Sequence, residues 1–147
     1  MEKKIIIGNW KMNPVSLDSA KDIFRKTKRI AENQRKTLTI ICPPSVFLSD
    51  LKKMSRGGGP VLGAQDVFFE NPPEGEGAYT GETSPSMLHG LGVRYVILGH
   101  SERRVLGETD RLVSQKVKAA IDEGLVAVVA RSRVALRRWP VVVRSMI

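Results

Sequence analysis

An apolar run, Tyr95-Val96-Ile97-Leu98, stops on Gly99 and delivers His100 into the polar stretch Ser101-Glu102-Arg103-Arg104. An imidazole at such a strand end can accept from, or donate to, the first free backbone groups of a helical turn that follows it. Taken alone, a single histidine after a strand is more often a satisfied structural residue than a catalytic one. A second strand end, after Ile5-Ile6-Ile7, presents an amide and a cation, Asn9 and Lys11, within Gly8-Asn9-Trp10-Lys11-Met12-Asn13-Pro14. Parallel sheets carry their catalytic side chains where strands end.

The elements that must position these residues are legible from periodicity. Short apolar runs bounded by glycine suit strands covered on both faces. Besides the two already named, Leu38 to Cys42, closed by Pro43-Pro44, and Val61 to Ala64 read as strands, and Leu125 to Ala130 begins a fifth. Ser16 is placed to cap a helix whose Leu17, Ala20, Ile23/Phe24, Thr27 and Ile30/Ala31 recur at helical spacing. A short helix from Val46 to about Met54 ends at Gly57-Gly58-Gly59, where positive φ carries no Cβ penalty. Ser84-Pro85 reads as a cap with proline at the first helical position, starting a helix through Leu88 to Leu91. From Thr109-Asp110 a further helix sets Leu112, Val113, Val117, Ala120 and Ile121 on one face, and Gly124 stops it. Gln65 to Gly81 is a long Gly/Pro/Glu-rich loop, and long loops in compact domains are usually functional.

Strand and helix thus alternate four times before the fifth strand. That pattern is α/β with a parallel sheet and right-handed crossovers, either doubly wound or part of a (β/α)₈ barrel. No GxxxxGK[ST] or GxGxxG follows any strand, which counts against the nucleotide-binding versions.

Composition narrows the setting. The 147 residues suffice for one ordinary domain, and 41% hydrophobic content allows a core. A single cysteine, Cys42, excludes an internal disulfide and a multi-cysteine metal site and fits a reducing compartment, with the cytosol as the expectation. No apolar run approaches the roughly 20 residues of a membrane span, and Met1-Glu2-Lys3-Lys4 shows no signal-peptide pattern. The net charge of +9 is unevenly placed, because residues 125–147 hold five arginines and no acid.

Four motifs in order, Gly8-Asn9-Trp10-Lys11-Met12-Asn13, Gly63-Ala64-Gln65-Asp66, Gly77-Ala78-Tyr79-Thr80-Gly81-Glu82 and Gly99-His100-Ser101-Glu102-Arg103-Arg104, closely resemble the triosephosphate isomerase family. The resemblance covers residues 4 to about 124. It implies a partial TIM barrel of four βα units plus a fifth strand, with residues 1–124 as the N-terminal half of the domain and 125–147 as the fifth strand and an Arg/Val-rich tail. It also implies an enzyme of glycolysis and gluconeogenesis that interconverts dihydroxyacetone phosphate and glyceraldehyde 3-phosphate through an enediolate, with no cofactor and no metal.

Residue by residue, Lys11 matches the family's site lysine, a fixed positive charge for a dianionic substrate and its enediolate. Asn9 matches the neighbouring substrate-binding amide, and His100 the electrophilic histidine. That the family keeps this histidine neutral with a helix N-terminus is a property already known of it. Glu102 resembles a supporting glutamate beside the lysine and histidine. Thr80 resembles the tip of the loop that enters a second subunit, implying a homodimer.

Other residues read as structure. His89 is expected to be solvated or structural, Cys42 a small buried residue, Trp10 packing, and Glu74, Glu76 and Glu82 a solvated loop face.

The sequence also departs from the family. A complete barrel runs to about 250 residues with eight strands, and no residue here matches the family's base, a glutamate after strand six, or its lid and later phosphate loops. From Val126 to Ile147 there are seven valines and five arginines but no Lys, Asp, Glu or Gly. That switch suggests translation in a shifted frame, which the downstream nucleotide sequence would test. The expectation is a truncated chain, weak or inactive alone. The alternative is a non-catalytic fragment that binds an intact isomerase subunit. Nucleic-acid binding through Arg131, Arg133, Arg137 and Arg138 around Trp139 has no accompanying fold in its favour, and neither nucleic acid nor membrane is expected as a partner.

Overall fold

The computed structural model describes residues 3–74, 76–130 and, for the backbone alone, 141–145. The arginines and tryptophan at 131–139 named above lie outside them. The chain divides into two compact units, one running to Gln65 and including the last strand, the other beginning at Asp66.

The first unit contains β1 (Lys4–Asn9), α1 (Leu17–Glu32), β2 (Thr37–Cys42), a 3₁₀ turn at Ser45–Phe47, α2 (Leu48–Met54), β3 (Val61–Ala64) and β6 (Val141–Ser145). β1 lies between β2 and β6, parallel to both, with Ile7 opposite Ile40 and Asn9 opposite Cys42; β2 in turn pairs in parallel with β3. β1 and β2 are both exposed or half-buried at their amino ends and buried over their last three residues. Their carboxyl ends are therefore the dry, packed ends, where a polar side chain must be held by partners.

α1 begins where Ser16 caps it, its side chain accepting from Ser19 N–H, with Asp18 in the first turn and Arg29 in the last to complement the helix dipole. Its buried stripe is narrower than periodicity predicts. Ala20 and Phe24 are fully buried, whereas Ile23 and Ile30 stand in solvent. α1 packs on β2 and α2.

The second unit contains α3 (Pro85–Leu91), β4 (Tyr95–Leu98), α4 (Ser101–Val105), α5 (Asp110–Asp122) and β5 (Val126–Val129). Ser84 caps α3 with Pro85 at its first turn, and Gly92 ends it in the left-handed region at φ 82°. Thr109 caps α5 in the same way, accepting from Leu112 N–H. β5 pairs in parallel with β4, Tyr95 opposite Val126 through Leu98 opposite Val129. The expected alternation of strand and helix is present, with one helix, α4, that periodicity did not resolve because it is five residues long.

α5 is rotated from the expected face. Val113, Lys116 and Ala120 are its buried residues, while Ile121 is exposed. A lysine takes a place on the buried stripe because two carboxylates meet it there.

Candidate functional site

Asn9 is the last residue of β1 and is buried. Its Oδ1 accepts from the backbone N–H of Lys11 at 2.9 Å. Lys11 has φ 53°, the only described non-glycine residue with positive φ. For an L-residue that conformation is costly and persists only when its surroundings impose it. They do so from both sides of the residue. Gln65, just after β3, donates through Nε2 to Lys11 O at 2.7 Å and to Cys42 O at 2.9 Å. The Lys11 N–H is thus held by one amide side chain and its carbonyl by another. Gln65 lies in the motif Gly63-Ala64-Gln65-Asp66, which by itself assigns it no role. An amide immediately after a buried strand end, where carbonyls need donors, was the available signal.

In the second unit, His100 follows Gly99, which turns the chain at φ 66°. His100 caps α4: its Nδ1 accepts from Glu102 N–H at 3.3 Å. The Glu102 carboxylate lies 3.5 Å from the same nitrogen. With Nδ1 an acceptor, a neutral imidazole carries its proton on Nε2. The expected arrangement of a turn with its amide facing the ring is present. Asn9 and Lys11 are thus brought together in one unit, and His100 and Glu102 in the other.

Below His100, four charged side chains form a cluster that sequence reading missed. Lys116 Nζ donates to Asp66 Oδ1 and Oδ2 at 2.7 and 2.8 Å and to Glu108 Oε1 at 2.6 Å. Arg103 reaches Asp66 Oδ2 at 2.8 Å, and its Nε lies 3.6 Å from Glu108 Oε1. The Glu108 and Lys116 side chains are 2% and 5% exposed, so this pair is dry. Partners scattered over 50 positions leave no local sequence signal.

The residues read as structural behave so. Trp10 is buried. Cys42 is fully buried, and burial pushes its thiol up to about 12, where it is inert as a nucleophile. His89 faces Glu123 at 3.5 Å on the surface, and Glu74, Glu76 and Glu82 are exposed. Thr80 is exposed on its loop beside Tyr79, whose phenol is raised by its hydrogen bond to Glu70 and packs on Phe68. Among the described residues no group of three His, Cys, Asp or Glu side chains gathers to hold a metal, and no helix is long and apolar enough to cross a membrane. A cleft lined by Lys3, Glu32, Arg35, Thr37 and Gly57–Gly59 lies at the opposite, amino ends of β1 and β2.

Parallel βα units with polar side chains after the carboxyl ends of β1 and β4 are the organisation of (β/α)₈ proteins. A solved structure agrees: triosephosphate isomerase from Bartonella henselae matches with a TM-score of 0.74 and 38% identity, over 86% of this chain and 51% of that one. The profile of the family described as triosephosphate isomerase matches residues 4–135, and the chain belongs to that family. Triosephosphate isomerases of Thermoanaerobacter sp. (strain X514), Dehalococcoides mccartyi and Alkaliphilus oremlandii are 42%, 45% and 46% identical to it, each over 88% of this chain. The chain spans about half the length of the curated relatives it matches, 50% of the first. The match continues past Gly124, through β5, to residue 135. The change to valine and arginine therefore begins inside the matched region, and resemblance does not stop at Gly124.

Proposed function

We propose that this chain carries the N-terminal share of a triosephosphate isomerase site, acting on dihydroxyacetone phosphate and glyceraldehyde 3-phosphate through an enediolate. His100 is the electrophile: with Nδ1 occupied by Glu102 N–H, its Nε2–H is the donor left to a substrate oxygen. Lys11 supplies fixed positive charge to the phosphorylated substrate and the enediolate, Asn9 fixes the lysine backbone and orients substrate oxygens, and Glu102 supports the histidine. The observation that carries this reading is the His100 cap on α4 within a chain of this family.

These 147 residues include no match to the family's base glutamate. One general base commonly contributes about 10²- to 10⁴-fold in rate, so the chain alone turns over far more slowly than its relatives. A coupled isomerase assay at high chain concentration tests this. Slow turnover above the blank, reduced at least tenfold in His100→Gln, is expected; equal rates for the two would sink the catalytic role. The exposed loop bearing Thr80 and Tyr79 supports a homodimer, the family's arrangement, and the cytosol is its expected setting. Co-purification of an inactive chain with a full-length isomerase would favour the non-catalytic binding fragment instead.

A further inference from the structure

We infer that Arg103, acting with Asp66, Glu108 and Lys116, is a positioning residue that sets the tautomer and orientation of His100. The inference rests on the proposed role of His100 and concerns how that role is maintained.

α4 poses a physical problem. It has five residues, too few for a helix to hold itself in water. None of its residues is buried, so apolar packing does not fix it either. Yet its first turn supplies the N–H on which the His100 ring is seated. What ties α4 to the rest of its unit is charge. Arg103 bonds Asp66 and faces Glu108, and Arg104 donates to Glu108 O at 3.1 Å. The contact of Arg104 with Asp110 adds little, because that aspartate is 98% exposed.

The anchor itself is rigid. Asp66 and Glu108 would repel each other, but Lys116 lies between them and binds both. Lys116 belongs to α5, a thirteen-residue helix packed on β4 and β5. Arg103 therefore connects a marginal helix to a stable one through a pair of fixed carboxylates. Arg103 Nε and Glu108 Oε2 are buried without a hydrogen bond among the described residues, so the cluster is not arranged for greatest stability. The lever acts on a bond with little margin. The Glu102 N–H to His100 Nδ1 distance of 3.3 Å is already long for such a donor, so a small shift of α4 frees Nδ1. A freed Nδ1 lets the proton occupy either nitrogen.

Imidazole ¹⁵N spectra of the 147-residue chain, at a pH where histidine is neutral, read this directly, with His89 as internal reference. Native chain should show one dominant Nε2–H tautomer at His100. Arg103→Gln should give a mixture of both tautomers while His89 stays unchanged, and Arg103→Lys should restore most of the original signal. Leu125→Ala, a buried truncation immediately before β5, controls for general loosening: it should lower the thermal midpoint at least as much and leave the tautomer alone. An unaltered tautomer in Arg103→Gln, or an equal change in Leu125→Ala, overturns the inference. If Arg103→Gln does not fold, Glu108→Gln is read in the same way. Because the spectra need no turnover, loss of isomerase activity and loss of positioning are separable results.

Discussion

Lys11 shows most sharply what a single residue costs and what sustains it. Its left-handed backbone is held at the N–H by Asn9 and at the carbonyl by Gln65. Gln65→Leu removes the Nε2 donor from the Lys11 and Cys42 carbonyls, and we expect a loss of about 1–3 kcal/mol in urea unfolding. Cys42 gives a pH-dependent signature. Burial raises its folded-state thiol from 9.0 to about 12. Above about pH 9 the unfolded chain releases a proton that the folded chain retains, so this contribution is fully present below 9 and is lost between 9 and about 12. Unfolding midpoints measured from pH 8 upwards should fall less steeply in Cys42→Ala. Both residues were singled out or bracketed by motif in the sequence, but the strain at Lys11 was not readable, because a φ angle is imposed by partners 2 and 54 positions away.

At the scale of elements, caps and strand ends were the legible features. Ser16 and Ser84 cap the helices they were expected to cap, and Thr109 caps the helix expected to begin there, since a cap is a local contest between a side-chain oxygen and water for free N–H groups. Helix faces were less legible. Ile23, Ile30 and Ile121 fit a helical period and yet are exposed, while Lys116 is buried. Periodicity identifies an apolar stripe but not where its edges meet neighbours, and it assigns a lysine outward unless distant acids claim it. Lys116→Met tests that claim. It strands Glu108 in a dry site opposite Asp66, and breaking such a cluster costs about 3–5 kcal/mol. Equilibrium unfolding should show the loss, and Lys116→Met combined with Glu108→Leu should recover part of it, because the buried charge goes with its partner.

For the whole molecule, the exposed strand edge governs behaviour in solution. β5 has a hydrogen-bonded neighbour, β4, on one side only among the described residues, and its Val126 and Val129 are half exposed. An apolar edge with free N–H and C=O groups is a template for pairing with another chain. The chain should therefore associate as its concentration rises, and Val129→Lys should reduce that association in light scattering. An unchanged concentration dependence would remove β5 from consideration.

Sequence alone determined the order of the first five strands and the longer helices between them, the Ser16 and Ser84 caps, the family, and which residues stand at the carboxyl ends of β1 and β4, because each of these depends on contacts a few positions apart or on motifs kept in order. Only the tertiary structure decided the rest: the left-handed Lys11 held by Gln65, the tie of α4 to Asp66 through Arg103, and the burial of Lys116 between Asp66 and Glu108. A buried charge or a strained backbone is tolerated only where specific partners satisfy it, and those partners meet only once the chain has folded.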